Sequence, residues 1–162
     1  MLCKTSNPGS NELLALSLAT GGTLYERIAK LAQQWSTKSD ASLGLVVGAT
    51  DSIALAKARK AAGERVWILA PGVGAQGGDL EEACAAGFNS DGTAMLIPVS
   101  RGISKAADPA AAAKELVENI NKVRSKIQQG KTSSSTGSDD TKNTIQPYQK
   151  DFLEFSLAEG VL

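Results

Sequence analysis

Ala70-Pro71-Gly72-Val73-Gly74-Ala75-Gln76-Gly77-Gly78-Asp79 and, further along, Val99-Ser100-Arg101-Gly102-Ile103 are the two stretches that decide the fold. Each follows a short apolar run that reads as a strand, Val66 to Ala70 in one case and Met95 to Val99 in the other. Each also precedes residues able to turn helical. Two consecutive strand ends, one rich in glycine and one closing in Ser-Arg-Gly, supply what a phosphate group needs. Glycine lets backbone N–H groups come close to an anion, a helix N-terminus adds partial positive charge, and a guanidinium offers paired donors. In (β/α)8 barrels the loops after strands seven and eight commonly build such a site, and the two stretches are assigned there.

Outward from these loops the chain alternates strand and helix. Leu2 to Thr5 reads as the tail of a strand, and Leu43 to Ala49 as a parallel strand buried on both faces. Between them, after a loop rich in Ser, Asn and Gly, Thr23 to Trp35 carries Leu24, Ile28, Leu31 and Trp35 at helical spacing. Asp51 caps a helix to about Ala62, and Leu80 to Ala86 forms a shorter one. Asp108-Pro109 opens a helix with Leu116, Ile120, Val123 and Ile127 on one face, ending near Gly130. Pro98 removes a ladder hydrogen bond from the last strand, so an irregularity is expected there. Repeated βα units mean a parallel sheet, either open or closed into a barrel. Four strands beginning at residue 2 make an α/β half-barrel with sheet edges and apolar helix faces uncovered, as in a truncated domain.

Composition excludes several classes of function. Among 162 residues, Lys+Arg and Asp+Glu number 17 each, so no net charge draws the chain to nucleic acid or an acidic membrane. It has no histidine, and its two cysteines, Cys3 and Cys84, lack metal-like spacing. Zinc, a disulfide framework and histidine-based catalysis are unsupported. Without a signal peptide or a membrane-length apolar run, a soluble cytoplasmic protein is expected. Three parts follow from composition: residues 1–128 as a partial barrel, 129–144 as a flexible linker, and 145–162 as the start of a second domain. From Gly130 to Thr144 no large apolar residue occurs, whereas Tyr148, Phe152, Phe155 and Leu157 restore an amphipathic helix beyond it.

Gly72-Val73-Gly74-Ala75-Gln76-Gly77 also matches a dinucleotide fingerprint after a strand. Pro71 and the additional Gly78 lengthen the turn, and no acidic residue closes a following strand at the right distance; Asp91 lies in a Ser-Asp-Gly turn. A monophosphate site fits better, and a plain glycine-rich turn stays open. Gly130-Lys131-Thr132 lacks the upstream glycine of a P-loop, since position 125 is Ser125, and reads as linker. Cys84 reads as core, and Glu81, Glu82, Glu115 and Glu118 as solvated helix faces. Lys4-Thr5-Ser6-Asn7-Pro8-Gly9-Ser10 follows a strand end with hydroxyls and amides able to read a heterocycle's edge, although the same residues also make an ordinary turn.

Taken together, Leu2 to Ser10, Gly44-Leu45-Val46-Val47-Gly48-Ala49-Thr50, Pro71 to Asp79 and Ser100-Arg101-Gly102-Ile103 resemble the second half of orotidine 5′-phosphate decarboxylases. The resemblance implies a (β/α)8 TIM barrel with these segments as strands five to eight. It implies that Ser6 contacts the pyrimidine and that Gln76 bridges the phosphate and that serine. Arg101 and the backbone N–H of Gly102 would grip the 5′-phosphate. The ligand implied is orotidine 5′-phosphate or its product UMP, with no metal or organic cofactor, in a parent enzyme at least dimeric. The family's Lys–Asp–Lys–Asp set, including an Asp-x-Lys-x-x-Asp motif, does not occur here, so no catalytic residue is assigned and the chain alone is expected to be inactive.

Ile145 to Leu162 resembles the first helix of orotate phosphoribosyltransferases, implying part of a bifunctional UMP synthase of inverted domain order. Two other readings stay open. Another phosphate-binding barrel would share the later loops without the Lys-Thr-Ser-Asn-Pro segment, and a half-barrel could act as a non-catalytic binding module.

Overall fold

Four βα steps run in sequence order in a computed structural model that describes residues 1–132, apart from Ser39 and Ala75. The strands are β1 (Leu2–Lys4), β2 (Gly44–Val47), β3 (Trp67–Leu69) and β4 (Met95–Leu96). They lie side by side as β1-β2-β3-β4, every pair parallel. The helices are α1 (Ser10–Leu14), α2 (Leu24–Ser36), α3 (Ser52–Ala62), α4 (Leu80–Gly87), α5 (Arg101–Ser104) and α6 (Pro109–Thr132). The expected linker beyond residue 132 and the amphipathic segment at 145–162 lie outside the described residues.

Short polar side chains start the helices where the sequence places them. Thr23 forms a capping box, its N–H and hydroxyl donating to Glu26 Oε2 at 2.8 and 2.6 Å. Asp51 accepts from Ala54 N–H and Asp79 from Glu82 N–H, both at 2.8 Å. Asp108 accepts from the N–H groups of Ala110 and Ala111 at 3.0 Å. Each such cap is worth about 1 kcal/mol.

Burial of the sheet is one-sided, which corrects the expectation of a strand covered on both faces. Leu45, Ile68 and Met95 form one cross-strand row, exposed by only 1%, 0% and 8% against the helices. The next row pairs Leu2, Val46, Leu69 and Leu96, and there Leu2, Leu69 and Leu96 are 69%, 37% and 54% exposed. Alternation along a strand sends successive residues to opposite faces, and the helices cover one face only.

Other expectations are revised in detail. The loop after β1 contains α1, opened by Gly9 at φ 79°. The core face of α2 is Tyr25, Ala29, Ala32 and Ser36, one position round from the Leu24–Ile28–Leu31–Trp35 stripe, and Trp35 is exposed. Small residues there meet Ala54, Ala58 and Ala62 of α3, so the two helices approach closely and the larger side chains sit at the margins. Strand β4 ends at Leu96, before Pro98, because Leu96 C=O accepts the last ladder bond from Ala70 N–H at 2.9 Å. Helix α6 runs through Gly130-Lys131-Thr132, which the sequence reading gave to the linker. Val123 and Ile127 are buried on the face expected for that helix.

At the N-terminal edge of the sheet one side chain joins four elements. Arg59 of α3 is only 5% exposed. Its Nε donates to Gly87 C=O at 2.7 Å, Nη1 to Gly63 and Val66 C=O at 2.9 and 2.7 Å, and Nη2 to Ala94 C=O at 2.7 Å. The ends of α3 and α4 and the approaches to β3 and β4 are thereby tied to one planar group. Ala94 holds a left-handed φ of 59° to present that carbonyl, which also accepts from Ile68 N–H at 3.0 Å. Burial draws the Arg59 guanidinium down to about 10, still charged at neutral pH.

Candidate functional site

A parallel sheet brings all of its strand C-termini to one edge, and four loops gather there: 5–9, 48–51, 70–79 and 97–100. Two of the expected ligand residues meet directly. Ser6 Oγ lies 3.2 Å from Gln76 Oε1 across a separation of 70 residues. The pair forms because both loops are anchored on β2 and its extension. Gly48 N–H donates to Lys4 C=O and Ala49 N–H to Pro71 C=O, each at 2.8 Å. A Cβ on Gly48 would sit 3.3 Å from Ser6 N and Cβ, so glycine lets the Ser6 loop lie against β2.

The glycine-rich loop folds on itself. Gly78 N–H donates to Gly72 C=O at 3.1 Å, Gly74 N–H to Gly78 C=O at 2.9 Å, and Gly77 N–H to Gly74 C=O at 2.8 Å. These three glycines therefore spend their amides within the loop, so that any N–H offered to an anion there comes from other residues. Their role is steric. At Gly78 a Cβ would stand 2.8 Å from Gly72 O and 2.9 Å from Ala49 O, and Gly72 adopts φ 112° with Gln76 Oε1 alongside. The compact turn carries Gln76 back over the end of β2 toward Ser6. Asp79 closes the loop and caps α4, occupying that helix N-terminus with a carboxylate.

Arg101 and Gly102 open α5 after β4, at the same edge of the sheet. Among the described residues Arg101 makes no side-chain hydrogen bond or ion pair, and it is exposed. No hydrogen bond joins it to Ser6 or Gln76. Gly102 packs close to Val99, where a Cβ would come within 3.1 Å of Val99 Cγ1. The first N–H groups of a helix have no intrahelical acceptor, so among the described residues the Gly102 amide and the guanidinium are donors without protein partners. Ser6 and Gln76 therefore form one part of the edge, and Arg101 with Gly102 another. The first can read a polar ring edge, and the second can bind an anion.

Two residues went unassigned in the sequence. Lys4, only 6% exposed, lies directly under the Ser6 loop. Its signal is a lysine closing an apolar strand just before a run of Ser and Asn. Arg59 shares the packing side of α3 with Leu55 and Ala62, an unusual place for a charge. The cysteines are structural. Burial pushes the Cys3 thiol up to about 11 and the Cys84 thiol to about 12, and Cys3 Sγ donates to Tyr25 C=O at 3.2 Å. Among the described residues no helix is long and apolar enough to cross a membrane.

Comparison with known proteins agrees with this arrangement. The family model for orotidine 5′-phosphate decarboxylase / HUMPS matches residues 1–116. Orotidine 5′-phosphate decarboxylase of Bordetella petrii is 42% identical over 132 residues, covering 76% of this chain and 48% of the relative. The structure of Leishmania donovani OMP decarboxylase superposes with a TM-score of 0.66 at 48% identity, over 76% of this chain and 46% of that one. Leishmania donovani UMP synthase gives a TM-score of 0.68 at 52% identity, over 76% of this chain and 27% of that one. The chain thus spans about half the length of the curated relatives it matches. With the parallel βα steps, the strand-end loops and the match over residues 1–116 all in agreement, the chain belongs to the orotidine 5′-phosphate decarboxylase / HUMPS family.

Proposed function

We propose that this chain is the substrate-gripping half of an orotidine 5′-phosphate decarboxylase, its four strands being the fifth to eighth of the barrel. In this reading Ser6 contacts the pyrimidine, Gln76 joins that serine to the phosphate, and Arg101 with the Gly102 N–H holds the 5′-phosphate dianion. The observation that carries it is the Ser6–Gln76 contact at 3.2 Å, which joins the first and third loops at the edge where α5 also presents Arg101. A second observation supports the reading of a half. Leu2, Leu69 and Leu96 expose a continuous apolar row that another set of strands would cover. Phosphate binding remote from the reacting carbon supplies energy that the parent enzyme can spend on closure and on the chemical step.

The chemistry itself belongs to residues this chain lacks. Its sequence contains no Asp-x-Lys-x-x-Asp, so the charged array that faces the leaving carboxylate and returns a proton to the ring carbon is absent. The chain is accordingly a ligand-binding half, and orotidine 5′-phosphate is converted to UMP and carbon dioxide only by a complete barrel, cytoplasmic and at least dimeric. Residues 145–162 are read from their sequence as the start of an orotate phosphoribosyltransferase domain that follows the partial barrel. The longer Leishmania donovani UMP synthase among the similar structures supports that fusion.

Titration of the 162-residue chain with uridine 5′-monophosphate, followed by calorimetry, tests the binding assignment. Saturable binding that weakens with added salt is expected, because a guanidinium–phosphate contact is screened. No binding, or binding that Arg101→Ala leaves unchanged, removes the anion site.

A further inference from the structure

Among the described residues, Lys4 is a buried ammonium hydrogen-bonded to neutral partners only. Its Nζ donates to Asn11 Oδ1 at 2.7 Å, to Ser10 Oγ at 3.0 Å and to Thr5 C=O at 3.5 Å. Ser10 Oγ in turn donates to the same Thr5 C=O at 2.7 Å. Three donors thus meet three acceptors, all drawn from the loop and short helix on either side of Ser6. A buried cation is costly unless it is fully hydrogen-bonded, and a fully satisfied polar cluster fixes a loop in one conformation. Lys4 C=O also receives Gly48 N–H at 2.8 Å, so its backbone is fastened to β2 while its side chain fastens the loop. On the opposite side Gly48 lets the Ser6 backbone lie close against β2, since a Cβ at that position would stand 3.3 Å from Ser6 N.

We propose that Lys4 is a positioning residue for the pyrimidine-reading serine. By clamping Thr5, Ser10 and Asn11 it holds Ser6 Oγ at the distance at which Gln76 meets it. The inference rests on the reading of Ser6 as the pyrimidine contact and adds a residue that acts through it.

The test is a double-mutant cycle on the full 162-residue chain, with uridine 5′-monophosphate and inorganic phosphate as separate probes. Lys4→Met is expected to weaken nucleotide binding by roughly fivefold, as Ser6→Ala does, since each removes the same ring contact. Both variants leave inorganic phosphate affinity within about twofold, because that anion is held at Arg101. The double variant binds no worse than Ser6→Ala alone, and Lys4→Arg restores part of the loss. Asn11→Ala trims an exposed acceptor, retains the fold, and gives a smaller loss of about twofold if Lys4→Met does not fold.

Independent, multiplicative effects in the double variant, or equal losses for nucleotide and phosphate, would overturn the positioning role. So would unchanged nucleotide affinity in both Lys4→Met and Asn11→Ala while Ser6→Ala weakens it. Unchanged affinity in Ser6→Ala, or no nucleotide binding by the wild-type chain, instead overturns the assignment of Ser6 itself and the role of Lys4 with it.

Discussion

Two arginines at opposite edges of the same sheet show how this half-barrel divides its work. Arg59 lies at the N-terminal edge, buried, its guanidinium committed to four backbone carbonyls between 2.7 and 2.9 Å. Arg101 lies at the C-terminal edge, exposed, with no protein acceptor among the described residues. Arg59 acts as a staple, spending four of its five N–H donors on backbone carbonyls, whereas Arg101 spends none among the described residues, and under the proposed function its donors are left for a ligand. The difference comes from backbone chemistry. Below the sheet, helix ends and strand starts converge and leave carbonyls that need donors. Above it, strand ends give way to loops whose glycines allow close crossings and whose amides bond among themselves.

The largest expected effect lies at the staple. Arg59→Ala takes a donor from four backbone carbonyls, of which Ala94 C=O keeps its bond from Ile68 N–H, and should destabilise the fold by on the order of 3–5 kcal/mol, read by urea unfolding. Arg59→Lys should recover little, because one ammonium cannot span acceptors placed for a planar fork. A loss below about 1 kcal/mol would break the distinction between the two edges.

Arg101→Ala should do the reverse. Unfolding should stay within about 0.5 kcal/mol of wild type, while uridine 5′-monophosphate binding falls by about 2–3 kcal/mol in the titration, the worth of a charge-assisted contact. Large destabilisation in this variant would make Arg101 a structural residue.

Gly78→Ala probes how the C-terminal edge is built. Its Cβ would press on Gly72 O and Ala49 O at 2.8 and 2.9 Å, and the strain should cost about 1–2 kcal/mol in unfolding. Gln76 moves with the loop, so nucleotide affinity should fall as well. Full affinity would show that the loop's compact turn does not position Gln76.

The pH response sharpens the contrast least, since near neutrality it should be flat. Burial raises Cys3 from 9.0 to about 11 and Cys84 from 9.0 to about 12, and burial with neighbouring Glu26 raises Tyr25 from 10.0 to about 12. Each group keeps its proton in the fold at a pH where the unfolded chain has lost it, so the folded state binds more protons. Stability is then fully present below pH 9 and declines as pH rises toward 12. Unfolding midpoints rising across that range would contradict the burial of these three groups.

Much of the C-terminal edge could be read from sequence because its residues are locally distinctive. Glycines and a proline spaced around Gln76, and a Ser-Arg-Gly after an apolar run, signal strand-end loops without tertiary knowledge. Asp51 and Asp108 mark helix starts for the same local reason. What escaped depends on packing. The α2 core face runs through Ala29 and Ala32 because α3 approaches closely, which the larger Leu24–Ile28–Leu31–Trp35 stripe concealed. One-sided burial of the sheet was hidden because apolar residues occupy both faces of β2 and β3. Arg59 and Lys4 look like ordinary surface cations until the carbonyls and hydroxyls around them are placed.

The most direct test supplies the part of its relatives' length that the chain does not span. The N-terminal half of Leishmania donovani OMP decarboxylase, joined ahead of the full 162-residue chain, should convert orotidine 5′-phosphate to UMP, whereas the chain alone should bind nucleotide without turning it over. A folded but inactive fusion, or decarboxylation by the chain alone, would contradict the account of these strands as the gripping half of the barrel.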